Sequence, residues 1–343
     1  MEKQTFEQAL EAEGSSFLNE ERLPLVLEAD GRHNRFGDLL TYIEEKQEAI
    51  RAQLLRYGGV LFRGYDLSSA EHFSEIVEQL GLGKGVDYIG GDSPRDKVHK
   101  SVYTSTEAPP SVKIPLHNEL SFVNSYPNHI YFFCEIPPVD RGETILGDAR
   151  AIYKAIDPEV RARFEERRLG YVSNYYYKSR VMHLLNRMQR FHKSWIEVFE
   201  TDSKQEVEEK CRLNDFAFRW NRNDWLRVEQ IRPATMLHKE TGEAVWFNQV
   251  HLYDFNPRLL GRGRWLGSNL LYSLPNTRLH EVHFADGSKI PRDDLYHILD
   301  VLDAKTIAFP WQKGDLLVLD NVLSMHGRAT FTGRRRILTA MTS

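Results

Sequence analysis

Two short segments, far apart in the chain, set the strongest constraint on its fold. Residues 115–122 read Pro-Leu-His-Asn-Glu-Leu-Ser-Phe, and residues 319–328 read Leu-Asp-Asn-Val-Leu-Ser-Met-His-Gly-Arg. In an extended chain, side chains two apart leave on the same face. His117 and Glu119 therefore project together, while Leu116 and Leu120 face the other way. An imidazole nitrogen beside a carboxylate oxygen fills two neighbouring positions around a divalent metal. A third ligand from His326 completes a two-His, one-carboxylate face, which leaves coordination positions open and suits non-haem Fe(II) oxygen chemistry. The histidines lie 326 − 117 = 209 residues apart, so the set closes only if an early and a late strand are neighbours in one barrel.

The pattern between them fits that demand. Phe36, Leu39, Leu40, Ile43, Ile50 and Leu54 carry helical spacing, which Gly58-Gly59 ends. Val60–Tyr65 reads as a buried strand, and Ser69–Leu80 as a second helix with Phe73, Ile76, Val77 and Leu80 on one face. Residues 86–115 are polar and irregular, too long for an ordinary connection. Ile130–Cys134 and Gly142–Leu146 read as strands. Asp157-Pro158 opens a helix, Asp as N-cap and Pro at the first position. Residues 171–225, heavy in Tyr, Phe and Trp, read as an insertion with helices near 192–199 and 205–213. Strands return at 244–250, 270–273 and 281–284, Asp286-Gly287 is a turn signal, and Pro291–Leu302 is a helix. The end alternates strands and turns: 307–311, 316–319, 325–329 and 337–341. Many strands with few βαβ units predict a mainly β chain, a sandwich or rolled barrel with surrounding helices.

Composition narrows the function classes. A formal charge of −4 over 343 residues excludes a general nucleic-acid binder, since phosphate binding needs a basic surface. Cys134 and Cys211 are the only cysteines, too few for a disulfide framework, which points to a reducing compartment. The start shows no signal pattern, and no run approaches the roughly 18 apolar residues of a membrane span. A cytoplasmic protein without membrane or nucleic-acid partners is expected.

An iron oxygenase with three protein ligands needs electrons from elsewhere to activate O2. A bidentate 2-oxo acid supplies two on decarboxylation, and its far carboxylate needs a fixed cation, for which arginine's planar fork is suited. Arg336 lies 336 − 326 = 10 residues after His326, enough to turn at Thr332-Gly333 and return along the adjacent strand. Of Arg334, Arg335 and Arg336 it is preferred here because it borders the apolar Ile337-Leu338. The alternative is a solvated basic cluster.

Together His117-x-Glu119, Gly142-Glu143-Thr144, Trp311-Gln312-x-Gly314-Asp315, Asp320-Asn321, His326-Gly327-Arg328 and Gly333-Arg334-Arg335-Arg336-Ile337 resemble, in order, the Fe(II)/2-oxoglutarate dioxygenases of the taurine dioxygenase (TauD/TfdA-like) family. The resemblance covers roughly residues 55 to 343. It implies a double-stranded β-helix (jelly-roll) core, iron held by His117, Glu119 and His326, and the distal carboxylate of 2-oxoglutarate held by Arg336 and the Thr144 hydroxyl. Domain organisation then reads as one dioxygenase domain over 1–343, with residues 1–85 a helical cap plus first strands and residues 150–235 a mixed helical and aromatic insertion. The family's usual carboxylate is Asp; Glu119 is a longer alternative that keeps the ligand, and a carboxylate here argues hydroxylation or desaturation rather than halogenation. The arginine that taurine dioxygenases place four residues beyond the 2-oxoglutarate arginine is Ala340, which argues against sulfonate substrates.

Within the family, His117–Ser121, Arg232-Pro233-Ala234, Thr241-Gly242-Glu243 and Val245–Gln249 look most like the hydroxylases of nonribosomal-peptide pathways, the syringomycin-pathway aspartate hydroxylase type. This implies specialised-metabolite (antibiotic) biosynthesis and an amino-acid substrate, free or tethered to a carrier protein. Arg328 shares a face with His326 and is expected to meet a substrate carboxylate, with Trp246, Asn248 and Gln249 lining the pocket. Asn118 reaches substrate only if the strand twists there. The expected cofactors are Fe(II), 2-oxoglutarate as cosubstrate and O2, with succinate and CO2 released. Two other readings remain at this point: a zinc-dependent hydrolase using the same triad with a bound water, indifferent to 2-oxoglutarate, and a non-catalytic binding barrel.

Overall fold

The computed structural model describes residues 15–86, 97–105, 108–178, 193–221, 223–271 and 278–343. The strand Leu316–Asp320 shows why its sequence is an unbroken apolar run. Leu316 and Val318 pack outward beneath helices, and Leu317 and Leu319 pack inward into a second cluster. A strand covered on both faces needs no polar alternation. Its neighbour His129–Ile136 repeats the pattern, with Tyr131 and Phe133 outward and Ile130, Phe132 and Cys134 inward.

These two strands sit inside an eight-stranded sheet, in the order Ser15–Phe17, Leu25–Glu28, Gly59–Arg63, Leu316–Asp320, His129–Ile136, Arg336–Thr342, Val102–Thr104, Lys97–His99. Its outer face is closed by the helices Phe36–Tyr57 and Ala70–Leu80, each stopped by a left-handed glycine, Gly58 and Gly81. A four-stranded antiparallel sheet, Ile307–Ala308, Thr144–Asp148, Ser324–Arg328, Ile114–His117, lies across from it. Leu146 and Ile307 of this smaller sheet share one buried cluster with Leu317, Ile130 and Ile337 of the larger. That shared interior is the jelly-roll core expected from the sequence.

Several local expectations change. The polar stretch before Pro115 contains a hairpin, Lys97–His99 with Val102–Thr104, that extends the large sheet. The insertion supplies three strands of a further four-stranded sheet, Ala217–Trp220, Leu226–Arg232 and Leu169–Tyr175, which the expected strand His280–Phe284 completes. A helix, Arg262–Leu271, stands where a strand from 270 was expected, and residues 272 and 273 lie outside the described set. Residues 244–250 form only a short strand, Ala244–Trp246, before a helical turn at Val250–Tyr253. The Asp157 N-cap and the helix over Arg292–Ala304 are where the sequence put them. Among the described residues no helix is long and apolar enough to cross a membrane.

Candidate active site

His117 and His326 are directly opposed residues on adjacent antiparallel strands. Register alone thus closes the 209-residue gap, and the ring centroids stand 4.4 Å apart. Gly327 permits the pairing: a Cβ there would lie 2.4 Å from the Ile114 carbonyl oxygen. Glu119 arrives differently from the sequence expectation. The strand ends at His117, and Glu119 opens a turn in which Leu120 takes φ 53°. The regular two-residue alternation is therefore absent, yet the carboxylate converges: one ligand atom each from His117, Glu119 and His326 all lie within 4.8 Å of one another. Glu119 Oε2 is 3.5 Å from His326 Nε2.

The protonation states suit a cation. His117 Nδ1 is 2.9 Å from the Pro115 carbonyl, to which it donates, leaving Nε2 as the acceptor nitrogen. Protein surrounds the ring on most sides, although an edge remains open to solvent. Burial, reinforced by the neighbouring His326, pulls His117 down to about 3. The ring is thus neutral near pH 7, as a metal ligand must be. A buried carboxylate beside a neutral imidazole and a second histidine is a donor set that fits Fe(II).

The arginines are told apart by their contacts. Ile337 and Met341 face the interior, while Leu338 and Ala340 pack outward beneath the helices. Arg335 precedes this strand, and the ladder shifts register between Arg336 and Ile337, so alternation does not carry across to the arginines. The Arg336 guanidinium, expected to be the interior cation, is half-exposed and pairs with Glu135 at 2.8 Å. Arg335 donates from Nε to the Gly142 carbonyl at 2.9 Å and from Nη1 to Ser105 Oγ at 3.4 Å. Burial pulls it down to about 10, and among the described residues no carboxylate pairs with it. Gly142 tolerates no side chain, having φ 73° and a would-be Cβ 2.8 Å from Phe331 and Pro138. Counting four residues from Arg335 reaches Thr339, fully buried, rather than Ala340; neither is an arginine.

Thr144 is buried in register opposite Arg328, and its hydroxyl accepts a hydrogen bond from Trp311 Nε1 at 3.2 Å. Trp311 thereby orients a hydroxyl that keeps its own proton to donate. Arg328, Arg334, Arg335 and Arg336 all help line a cavity of about 470 Å³ with Thr104, Ser105 and Phe331.

The four residues picked for substrate contact have other partners. Arg328 donates to the carbonyls of Ala108, Pro109 and Val112 at 2.8–2.9 Å and so ties down that loop. Asn118 is fully buried and donates to the Asn321 and Ser324 carbonyls. Trp246 is wholly buried in the core against Phe164. Asn248 donates to the Ala234 carbonyl and accepts from the Val250 amide. Each is held by backbone or packing, because the chain around the site runs through turns whose polar groups need internal partners. Gln249 bonds the Asn118 carbonyl at 2.6 Å. Arg232, which the sequence offered only as part of a motif, lies against Asn124, and burial lowers its pKa against the opposing pull of Tyr126 and Tyr171, with no acidic partner among the described residues.

The family described as "Taurine catabolism dioxygenase TauD, TfdA family" matches residues 22–342. The "Dapdiamide synthesis protein DdaC" of Enterobacter agglomerans is 33% identical over 285 residues, 83% of this chain and 82% of the relative. A "Clavaminate synthase-like protein" of Arabidopsis thaliana is 29% identical over 303 residues, 87% of this chain and 86% of the relative. Among solved structures, the PvcB protein of Pseudomonas aeruginosa aligns with a TM-score of 0.50 at 16% identity, covering 92% of this chain and 84% of that one, a likeness of fold.

Proposed function

The chain belongs to the TauD/TfdA family of iron- and 2-oxoglutarate-dependent dioxygenases, and from that premise we propose that His117, Glu119 and His326 hold the iron, that Arg335 with Thr144 receives the distal carboxylate of 2-oxoglutarate, and that the substrate is an amino-acid-like small molecule hydroxylated at an unactivated C–H. The observation that carries this reading is the meeting of three ligand atoms within 4.8 Å, with a half-buried guanidinium, Arg335, that has no carboxylate partner among the described residues. Zinc hydrolysis would leave that guanidinium without a role.

When bound, iron with 2-oxoglutarate supplies an O2-derived oxidant strong enough for a C–H bond. The chain's own residues do the rest. His117 donates its Nδ1 proton to Pro115 and so presents Nε2 as a fixed acceptor. Arg335 offers a planar fork in a desolvated place, where a charge-assisted pair to a carboxylate is stronger than in water. Thr144, held by Trp311, donates a further hydrogen bond to the same carboxylate. Phe132, 5.2 Å from the His326 ring, keeps that side apolar and excludes water.

The substrate class rests on a named likeness and on Arg232. The 33% identical relative is called a dapdiamide synthesis protein, and the motifs around Arg232 and Val245–Gln249 resemble hydroxylases of peptide-antibiotic pathways. Arg232 lies against Asn124, 124 − 119 = 5 residues past Glu119, and is suited to a substrate carboxylate. Anaerobic titration with Fe(II) and 2-oxoglutarate should raise the visible charge-transfer band of the chelate, and a protein that never shows it would end the proposal. A screen of free amino acids against the same amino acids on a carrier protein, read as substrate-dependent succinate release, then separates the two forms. Release with neither removes the amino-acid reading.

A further inference from the structure

We propose that Asn321 is a positioning residue for Glu119, acting with Asn118 as a crossed amide clamp that sets the spacing of the two ligand-bearing segments before any metal arrives. The proposal rests on the reading of His117, Glu119 and His326 as metal ligands. Glu119 lies two residues beyond the end of its strand, outside the ladder. The Asn321 side chain takes the ladder's place: Oδ1 accepts from the Glu119 amide at 2.7 Å, and Nδ2 donates to the Glu119 carbonyl at 3.0 Å. The same Nδ2 donates to the Pro127 carbonyl at 2.8 Å, holding the far end of the turn.

The contact is reciprocal. Asn118 Nδ2 donates to the Asn321 carbonyl at 2.7 Å and to the Ser324 carbonyl at 3.3 Å. Ser324 lies two residues before His326 on the same strand. Each asparagine thus grips the backbone of the segment that carries the other's ligand, and both are fully buried. Gln249 adds a third amide, its Nε2 donating to the Asn118 carbonyl at 2.6 Å.

Asn321 has an independent footing. Its amide donates to the Asn128 carbonyl at 2.8 Å. The preceding Asp320 accepts from the Val322 and Leu323 amides and pairs with His238 Nε2 at 3.1 Å. The Asp320 amide and the Ser324 hydroxyl both donate to the Gly58 carbonyl. The turn that bears Asn321 is therefore fixed by the large sheet and its helix cap, and Glu119 inherits that order. A neutral amide suits the task because it both donates and accepts beside a carboxylate without adding charge.

The test is Co(II) affinity of the metal-free protein, followed by calorimetry, with a thermal melt of every variant. Asn321→Ala should weaken Co(II) binding by about 10- to 100-fold, the range for partners that orient metal ligands. Asn248→Ala is the control, since Asn248 is equally buried, makes two backbone bonds and touches neither ligand segment; its Co(II) affinity should stay within about twofold of wild type, as expected where no ligand is disturbed. Equal affinity in wild type and a folded Asn321→Ala overturns the clamp, as does an equal loss in both variants at matched stability. If Asn321→Ala does not fold, Asn118→Ser decides by the same comparison. Failure of the metal reading looks different: wild type then takes up no Co(II), or its uptake is indifferent to Glu119→Ala.

Discussion

Two corners of one barrel mouth differ in how their side chains are aimed. At the ligand corner, His117 and His326 face each other through strand register, and Glu119 is held by an amide from a remote turn. At the guanidinium corner, three consecutive arginines line one cavity, and the partners each one finds tell them apart. Arg335 donates to the Gly142 carbonyl and Ser105, and Arg336 pairs with Glu135. Residue type chooses the function at the first corner; geometry chooses it at the second.

The sharpest break in that contrast comes from the ligands. His117→Ala, Glu119→Ala or His326→Ala should each take turnover to background, measured as succinate release. A variant that keeps wild-type turnover removes its residue from the ligand set.

Next in size is a stability effect. Trp246 was a substrate candidate by sequence and is core by structure. Trp246→Ala should cost about 3–5 kcal/mol of unfolding free energy, the usual penalty for deleting a buried ring. Loss of substrate affinity with unchanged stability in a urea melt would return Trp246 to the pocket.

The arginine comparison is sharpened by paired variants. Arg335→Ala removes a charge-assisted fork from a desolvated site, about 1.5–3 kcal/mol, so KM for 2-oxoglutarate should rise about 10- to 100-fold. Arg336→Ala breaks a half-exposed ion pair, about 0–1 kcal/mol, and should leave that KM nearly unchanged. The reverse ranking would reinstate Arg336.

Much of this was legible in the chain. The helices over Phe36–Tyr57, Ala70–Leu80 and Arg292–Ala304 carry apolar stripes and clear stops, and the His/Glu/His set is visible because few residue types ligate iron. The face of Arg335 was out of reach: it precedes its strand, and the ladder shifts register between Arg336 and Ile337, so alternation does not carry across. Arg336 was preferred for its apolar neighbours, and only the partners each guanidinium finds separate the two. Asn321 was harder, since its role depends on a contact 202 residues away that no local pattern announces. Of the outlying sheet only the strand at 281–284 was legible; Leu169–Tyr175 is buried at all seven positions, which erases the alternation that marks a strand.

The smallest effect concerns the ground beneath the ligand corner. His251 is fully buried, and its one polar partner among the described residues, the Leu116 backbone, does not offset the loss of water. Burial pulls its pKa down to about 4. The unfolded chain takes up a proton near pH 6.5, as an ordinary histidine does, but the folded chain resists until about pH 4. Stability from this group is therefore complete above pH 6.5 and declines as pH falls toward 4, by up to about 1.4 kcal/mol per unit. In the metal-free protein His117 adds a similar slope, which His251→Leu changes only slightly because His251 is the smallest of the causes acting on His117. The two should then differ by about 1 kcal/mol in the stability lost between pH 7.5 and 5.5, with the variant losing less. Urea melts at both pH values read this directly, and parallel slopes would mean that the His251 ring finds a proton acceptor in solution.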